Sequence, residues 1–368
     1  MEKLEEYAVK FLTRLLKIYS PSGRERKIGT FIADEMEKLN FKVRVDNVGN
    51  VIGEVGHGKP TILLCGHMDT VPGYIPVKIV DGKIYGRGAV DAKSPLASMI
   101  LAAHSVGETI EEGKVLVACV VEEEKSGMGI KNLIKEGLSA DYAIFGEPSG
   151  IENIIIGYRG SLKIKLTCKT AAGHSSAPWL FENAIEKMFE LWGRIKDAKF
   201  QENPPKGFFY NVSLCLTHLE GGSYAPNVPS RCKALIDVRV PPQLTCAQAY
   251  DRIIEYIMQF RKENPQVQVD VEVVDSVEPF FEADKNSSLT RAFSAAIRKV
   301  TGKTLKLLKK TGTSDMNLLG RALKIPVVAY GPGDSSLDHT PNEHVSIEEY
   351  LSSIQVLREV LKKLLNLF

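Results

Sequence analysis

The chain has 368 residues, 44% hydrophobic and 25% charged, which is ordinary for a globular protein and long enough to predict two domains rather than one core. A formal net charge of +2 supplies no global drive toward nucleic acid, and no apolar run approaches the length that spans a membrane. In chain order, Leu4, Ala8, Phe11, Leu12 and Leu15 recur with helical period and predict a docked amphipathic helix. Glu2, Glu5 and Glu6 interrupt any apolar stretch of a secretion signal, so a cytoplasmic location is expected. Residues 62–65 form a short apolar run that ends in Gly66-His67, residues 95–104 read as a helix, and 115–121 and 142–145 read as further buried strands. Apolar strands separated by helices predict a largely parallel sheet covered on both faces.

The middle of the chain changes character. Residues 162–169, 211–219, 232–240 and 267–274 read as strands and 182–195 and 247–260 as helices, in the order β-α-β-β-α-β of a ferredoxin-like split. A helix at 288–300, a strand at 325–330 and a helix at 347–365 return to the first pattern. The expected fold is therefore α/β, with a mixed, mostly parallel sheet flanked by helices over residues 1–158 plus 277–368, and an inserted α+β domain over 159–276. Of the six cysteines, five lie in apolar strand-like runs and Cys246 opens a helix; none forms a CxxC pair, so all six read as small buried thiols in a reducing compartment.

Polar clusters sit at the ends of the apolar strands, where open α/β sheets bind ligands. His67 and Asp69 are two apart, so on an extended segment they point the same way, and Asp69 is placed to accept the ring N–H of His67. The pair is equally a hydrogen-bonded structural feature when taken alone. Glu122, Glu123 and Glu124 repel one another unless a cation neutralises them or water solvates them. Asp91 and Glu147 carry the same ambiguity singly. Four strand ends presenting histidine or carboxylate, with His339 from a fifth segment, make up a nitrogen and oxygen set that suits borderline-soft cations such as zinc.

These motifs, in this order, resemble the aminoacylase/carboxypeptidase-type co-catalytic metallopeptidases, a family that includes succinyl-diaminopimelate desuccinylase and acetylornithine deacetylase. The resemblance covers nearly the whole chain: His67-x-Asp69, the Gly86-Arg87-Gly88 loop ending in Asp91, the paired acids, Glu147, Gly173-His174-Ser175 and the late His339. It implies a zinc-peptidase-like catalytic domain with a lid and dimerisation insert, acting as an amide hydrolase with two divalent metal ions per subunit, zinc or cobalt, in a homodimer. His67, Asp91 and Glu147 would hold one metal and Asp91, Glu124 and His339 the other, with Asp91 bridging. Glu123 would be the general base, Asp69 would orient His67, and His174 from the partner subunit would stabilise the oxyanion. Asn227, Arg239, Gly312 and Thr313 match positions that hold substrate, and the peptide after Asp91 would be cis.

Within that family, Val90-Asp91-Ala92-Lys93-Ser94-Pro95-Leu96 is similar to the hydrolases that release lysine or ornithine from the C-terminal glutamate of an amino-group carrier protein. A small-molecule deacylase or dipeptidase is the alternative with the same chemistry. A non-catalytic module would have lost ligands, and none is lost. No G-x-S-x-G elbow supports a serine hydrolase. Residues 303–310, rich in lysine, read either as a solvated strand guarding a sheet edge or as a docking rim for an acidic carrier.

Overall fold

The computed structural model describes residues 2–282 and 284–366. α1 (Glu2–Lys17) and α2 (Arg26–Lys38) precede β1 (Lys42–Val45), β2 (Val51–His57) and β3 (Thr61–His67). α3 (Lys93–Gly107), β4 (Gly113–Val120), α4 (Met128–Lys135), β5 (Tyr142–Phe145) and β6 (Asn153–Tyr158) follow. Next come β7 (Gly160–Lys169), α5 (Ala184–Lys196), β8 (Ser213–Gly221), β9 (Arg231–Val240), α6 (Cys246–Glu263) and β10 (Gln268–Val277). The chain then adds α7 (Ser288–Thr301), β11 (Lys306–Lys310), α8 (Asp315–Leu323), β12 (Val327–Ala329) and α9 (Ile347–Leu364). Tyr158–Phe281 and Lys310–Thr313 form one compact unit, and the other described residues form a second.

In the larger unit the sheet runs β1-β2-β4-β3-β5-β12-β6, with β11 beside β6. Its centre is parallel: β3 pairs in parallel with β4 and β5, and β5 with β12. The β1 and β2 edge is antiparallel, so the sheet is mixed and mostly parallel at its core. Every residue of β3 is buried, as a strand covered on both faces requires. α3 is apolar nearly all round and buried along almost its whole length, which suits a helix enclosed by sheet and by α9. From β3 the chain crosses to β4 on one side and then to β5 on the other, which opens a crevice at the carboxyl ends of these strands.

In the smaller unit, β8-β9-β7-β10 form an antiparallel sheet. β9 alternates buried and half-exposed residues, as one packed face and one open face dictate. Ile164, Leu166, Ile236 and Val238 on the packed face meet Met188, Leu191, Ile253 and Ile257 of α5 and α6. The Thr245–Gln248 capping box starts α6, and the Asn183 side chain caps α5. The β-α-β-β-α-β order is the one the periodicity predicts.

One cysteine differs from expectation. Five thiols are buried, but Cys215 is exposed, because β8 is an edge strand and Cys215 lies on its outward-facing side. Among the described residues, no helix is long and apolar enough to cross a membrane.

Candidate active site

The three acids after β4 are held through their backbone. Glu122 has a φ of +54°, a left-handed turn that bends the chain sharply as it leaves the strand. The Glu122 amide then donates to Glu25 Oε1 at 3.1 Å, the Glu123 amide to Asp69 Oδ1 at 3.1 Å, and the Glu124 amide to Asp69 Oδ2 at 3.1 Å. Ser22 Oγ donates to the same Asp69 oxygen at 2.7 Å. Two buried carboxylates thus occupy three successive amides and fix the loop that carries Glu123 and Glu124.

His67, at the end of β3, is 2% exposed. Its Nδ1–H donates to the Asp69 main-chain carbonyl at 3.0 Å, while the Asp69 carboxylate stands off at 3.5 Å. Asp69 thus faces the ring with both its main-chain and a side-chain oxygen, and the same carboxylate also receives the amides of the acidic loop. A carbonyl can only accept, so Nδ1 carries hydrogen and Nε2 faces Asp91 Oδ1 at 3.1 Å. His339 Nε2 lies 3.1 Å from the other Asp91 oxygen and 2.8 Å from Glu124 Oε1. His339 also has a positive φ, +62°, uncommon for any residue but glycine. One ligand atom each from Asp91, Glu124 and His339 lie within 4.8 Å of one another. Asp91 therefore divides its two oxygens between two histidines. The peptide after it is cis.

Charge follows the same pattern. Burial pushes the Glu123 carboxyl well above its ordinary range, His67 opposes this, and Asp315, Glu147 and Glu124 add to it. Burial and the Asp91 charge do the same to Glu147. Burial also opposes the Asp91 carboxylate, yet hydrogen bonds to His339 and His67 outweigh it and hold the group down. Those to Asp91 and Glu124 raise His339 to about 10. Burial disfavours charged His67, but Asp69 and Asp91 raise it well above the usual imidazole value. Asp91 held down between two histidine nitrogens, with the buried carboxyls of Glu123 and Glu147 held up nearby, matches the donor chemistry of a divalent cation site.

Several contributors carried no sequence signal. Glu25 and Glu343 act on main-chain amides and Ser22 on the Asp69 carboxylate, which no periodicity reveals. Asp315, by contrast, ends the segment Gly312-Thr313-Ser314-Asp315 that the family resemblance places beside the site; it is the first residue of α8 and buried, and its Oδ2 has no hydrogen-bond partner. Burial raises its carboxyl to about 7, with His67 opposing.

The smaller unit brings its own set together. Ser176 N–H donates to His174 Nδ1 at 3.1 Å, so in the neutral ring the hydrogen sits on Nε2 and is available to a further acceptor. His174 pairs with Asn227 in a two-residue ladder, and both are exposed. Arg239 donates to Asp237 at 3.0 Å and to Thr313 Oγ1 at 3.3 Å, next to Gly312. Arg159, also without a sequence signal, is 7% exposed and donates to the carbonyls of Thr311 and Asn211, each at 3.0 Å.

A sheet of this topology with acids and histidines converging at its strand ends presents the donor set of a divalent cation site. The chain belongs to peptidase family M20/M25/M40, whose description matches residues 63–363. It is 40% identical over 361 residues to a Pyrococcus furiosus protein named for LysW-lysine and LysW-ornithine hydrolysis, with 98% of each chain covered. It is 33% identical over 366 residues to the LysW-lysine hydrolase of Deinococcus radiodurans, covering 98% of this chain and 97% of the other. Among solved structures, the aminopeptidase PepT of Bacillus cereus shares the fold with a TM-score of 0.82 over 98% of both chains, at 22% identity.

Proposed function

We propose that this chain hydrolyses the amide joining lysine or ornithine to the C-terminal glutamate of LysW, an acidic amino-group carrier protein, in lysine and arginine biosynthesis. The observation that carries the reading is the Asp91, Glu124 and His339 cluster with His67 on the second Asp91 oxygen, in a chain 40% identical to its relative over 98% of its length. His67, Asp91 and Glu147 would hold one divalent cation and Asp91, Glu124 and His339 a second, with zinc or cobalt suited to the donors. When bound, the cations supply Lewis acidity to the scissile carbonyl and to the attacking water.

The chain's own groups do the rest. Glu123, its carboxyl raised by burial, takes the proton of the attacking water and passes it to the leaving amine. Asp69 holds Glu123 in place through its amide. In a homodimer, His174 of the partner subunit donates its Nε2–H to the developing oxyanion. Asn227, Arg239, Gly312 and Thr313 hold the substrate, with the Arg239 fork suited to a carboxylate. Residues 158–281 then serve as lid and dimerisation domain, and five buried thiols fit a reducing cytoplasm.

Docking of the acidic carrier on residues 303–310 meets competition at two of the lysines. Lys303 and Lys306 both pair with Glu152, so a carrier must compete with that acid. The test is hydrolysis of LysW-linked lysine set against acetylornithine and succinyl-diaminopimelate. The carrier-linked amide is the expected substrate. Preference for either small acyl compound overturns the assignment in favour of a small-molecule deacylase.

A further inference from the structure

The Asp91 loop and the segment after His339 are joined by one fully buried carboxylate. Glu343 is 0% exposed. Its Oε1 accepts the amides of Gly88 at 3.0 Å, Val90 at 2.9 Å and Asp91 at 3.1 Å. Its Oε2 accepts Arg87 Nη1 at 2.8 Å, and its own carbonyl accepts the Gly86 amide at 3.2 Å. Arg87, itself 8% exposed, also donates from Nη1 to the Thr340 carbonyl at 3.2 Å and from Nε to the Gly73 carbonyl at 3.0 Å. Three converging amides form a concave anion-accepting nest, which Gly88 permits with a φ of +89°. A side chain at that glycine would place its Cβ 2.9 Å from Lys93 Cδ.

This arrangement demands a carboxylate. A glutamine at position 343 must turn its NH2 toward either the loop amides or the guanidinium, and both are donors. The ion pair is buried, so losing one charge leaves the other unmatched. No hydrogen bond joins Glu343 to His67, Glu124 or His339 directly; it acts on the backbone that carries Asp91 and on the turn that carries His339.

We propose that Glu343 is a positioning residue that holds Asp91 and His339 in mutual register through the Arg87 ion pair and the 88–91 amides. The proposal rests on the two-cation reading above. Cobalt titration of metal-stripped protein, followed by visible absorption, tests it without any substrate. E343Q is expected to lose about 10–100-fold in cobalt affinity, with an altered absorption band, and to lower kcat for LysW-linked lysine while KM stays near wild type. R87Q/E343Q, in which the two amides can pair with each other, is expected to recover part of the lost affinity. If E343Q alone does not fold, E343D is read the same way, because it keeps the charge but withdraws it from the loop amides. Unchanged cobalt affinity and spectrum in a variant of lowered Tm would make Glu343 a purely structural latch and overturn the proposal. Absence of recovery in R87Q/E343Q would overturn the pairing with Arg87. Wild-type protein that takes up no cobalt defeats the two-cation reading itself, and wild-type protein that binds cobalt but spares the carrier-linked amide defeats only the substrate.

Discussion

The strand ends of the larger unit and the sheet of the smaller unit solve opposite problems with the same kinds of residue. Around β7 to β10, charged side chains lie on the open face: Lys165 meets Glu272 at 2.8 Å, directly across from it in the ladder, with both well exposed. At the ends of β3, β4 and β5, charged side chains turn inward, and their cost is offset by main-chain amides. Asp69 and Glu25 take three amides in succession, and Glu343 takes three more. An acid facing water can be exchanged with little consequence. An acid facing amides defines where a loop goes, and through it where a neighbouring functional group points.

The largest effect that sharpens this contrast is expected at Glu123 and Glu124. Glu123→Gln should bind metal as wild type does and lose ~10²–10⁴-fold in kcat, the scale of a general base. Glu124→Gln should instead lose one equivalent of metal, measured by elemental analysis after dialysis. Exchange of these two phenotypes would mean that the roles are shifted by one residue.

A middle-sized effect concerns the inward acid that has a free oxygen. Asp315 has a folded-state pKa of about 7 against an ordinary value of 3.8. A raised value means that the folded state holds the proton more tightly. Its contribution to stability is therefore complete below about pH 4 and is lost as pH rises to about 7. In metal-stripped protein, Asp315→Asn should gain on wild type across that window, by on the order of 1–4 kcal/mol, and the gap should then level off. Urea melts at several pH values measure it. A gap that stays constant with pH would break the distinction between inward and outward acids at this position. The smallest effect is expected on the open face: a double-mutant cycle of Lys165→Ala and Glu272→Ala should give a coupling of about 0.2–1 kcal/mol that shrinks as salt rises. A coupling well above that range would show that the smaller unit also stores energy in its charges.

How far the sequence could be read follows from the same division. Apolar periodicity marked the strands and helices of the smaller unit because burial on one face imposes a period of two on a strand and of about 3.6 on a helix. Acids beside strand ends marked His67, Asp91, Glu124 and His339, which the structure gathers at one point. What stayed hidden was the supporting layer: Glu25 and Glu343, which work on backbone, and Ser22, which works on the Asp69 carboxylate, look like ordinary surface residues in a string of letters. The His67–Asp69 pair was legible as a pair but not as to which Asp69 oxygen the ring uses, since i and i+2 spacing brings both within reach. The antiparallel strands β1 and β2 went unread, although the turn Asp46-Asn47-Val48-Gly49-Asn50 between alternating residues is a hairpin signal. Cys215 misled because an edge strand can be apolar in composition while one side of it meets solvent.

The insertion has a consequence in time as well as in space. Asp91 and Glu124 precede the segment Tyr158–Phe281, and His339 follows it. Ribosomes deliver a chain from its N-terminus, and domains fold as units while synthesis continues. For the whole interval in which residues 125–338 are being added, the two acids exist without the imidazole that completes their cluster. The smaller unit, continuous apart from Lys310–Thr313, has nearly all its chain in hand earlier. Birth order therefore lets the smaller unit come nearly complete before the cluster does, and the cluster closes only when the returning segment joins a sheet begun far earlier in the chain.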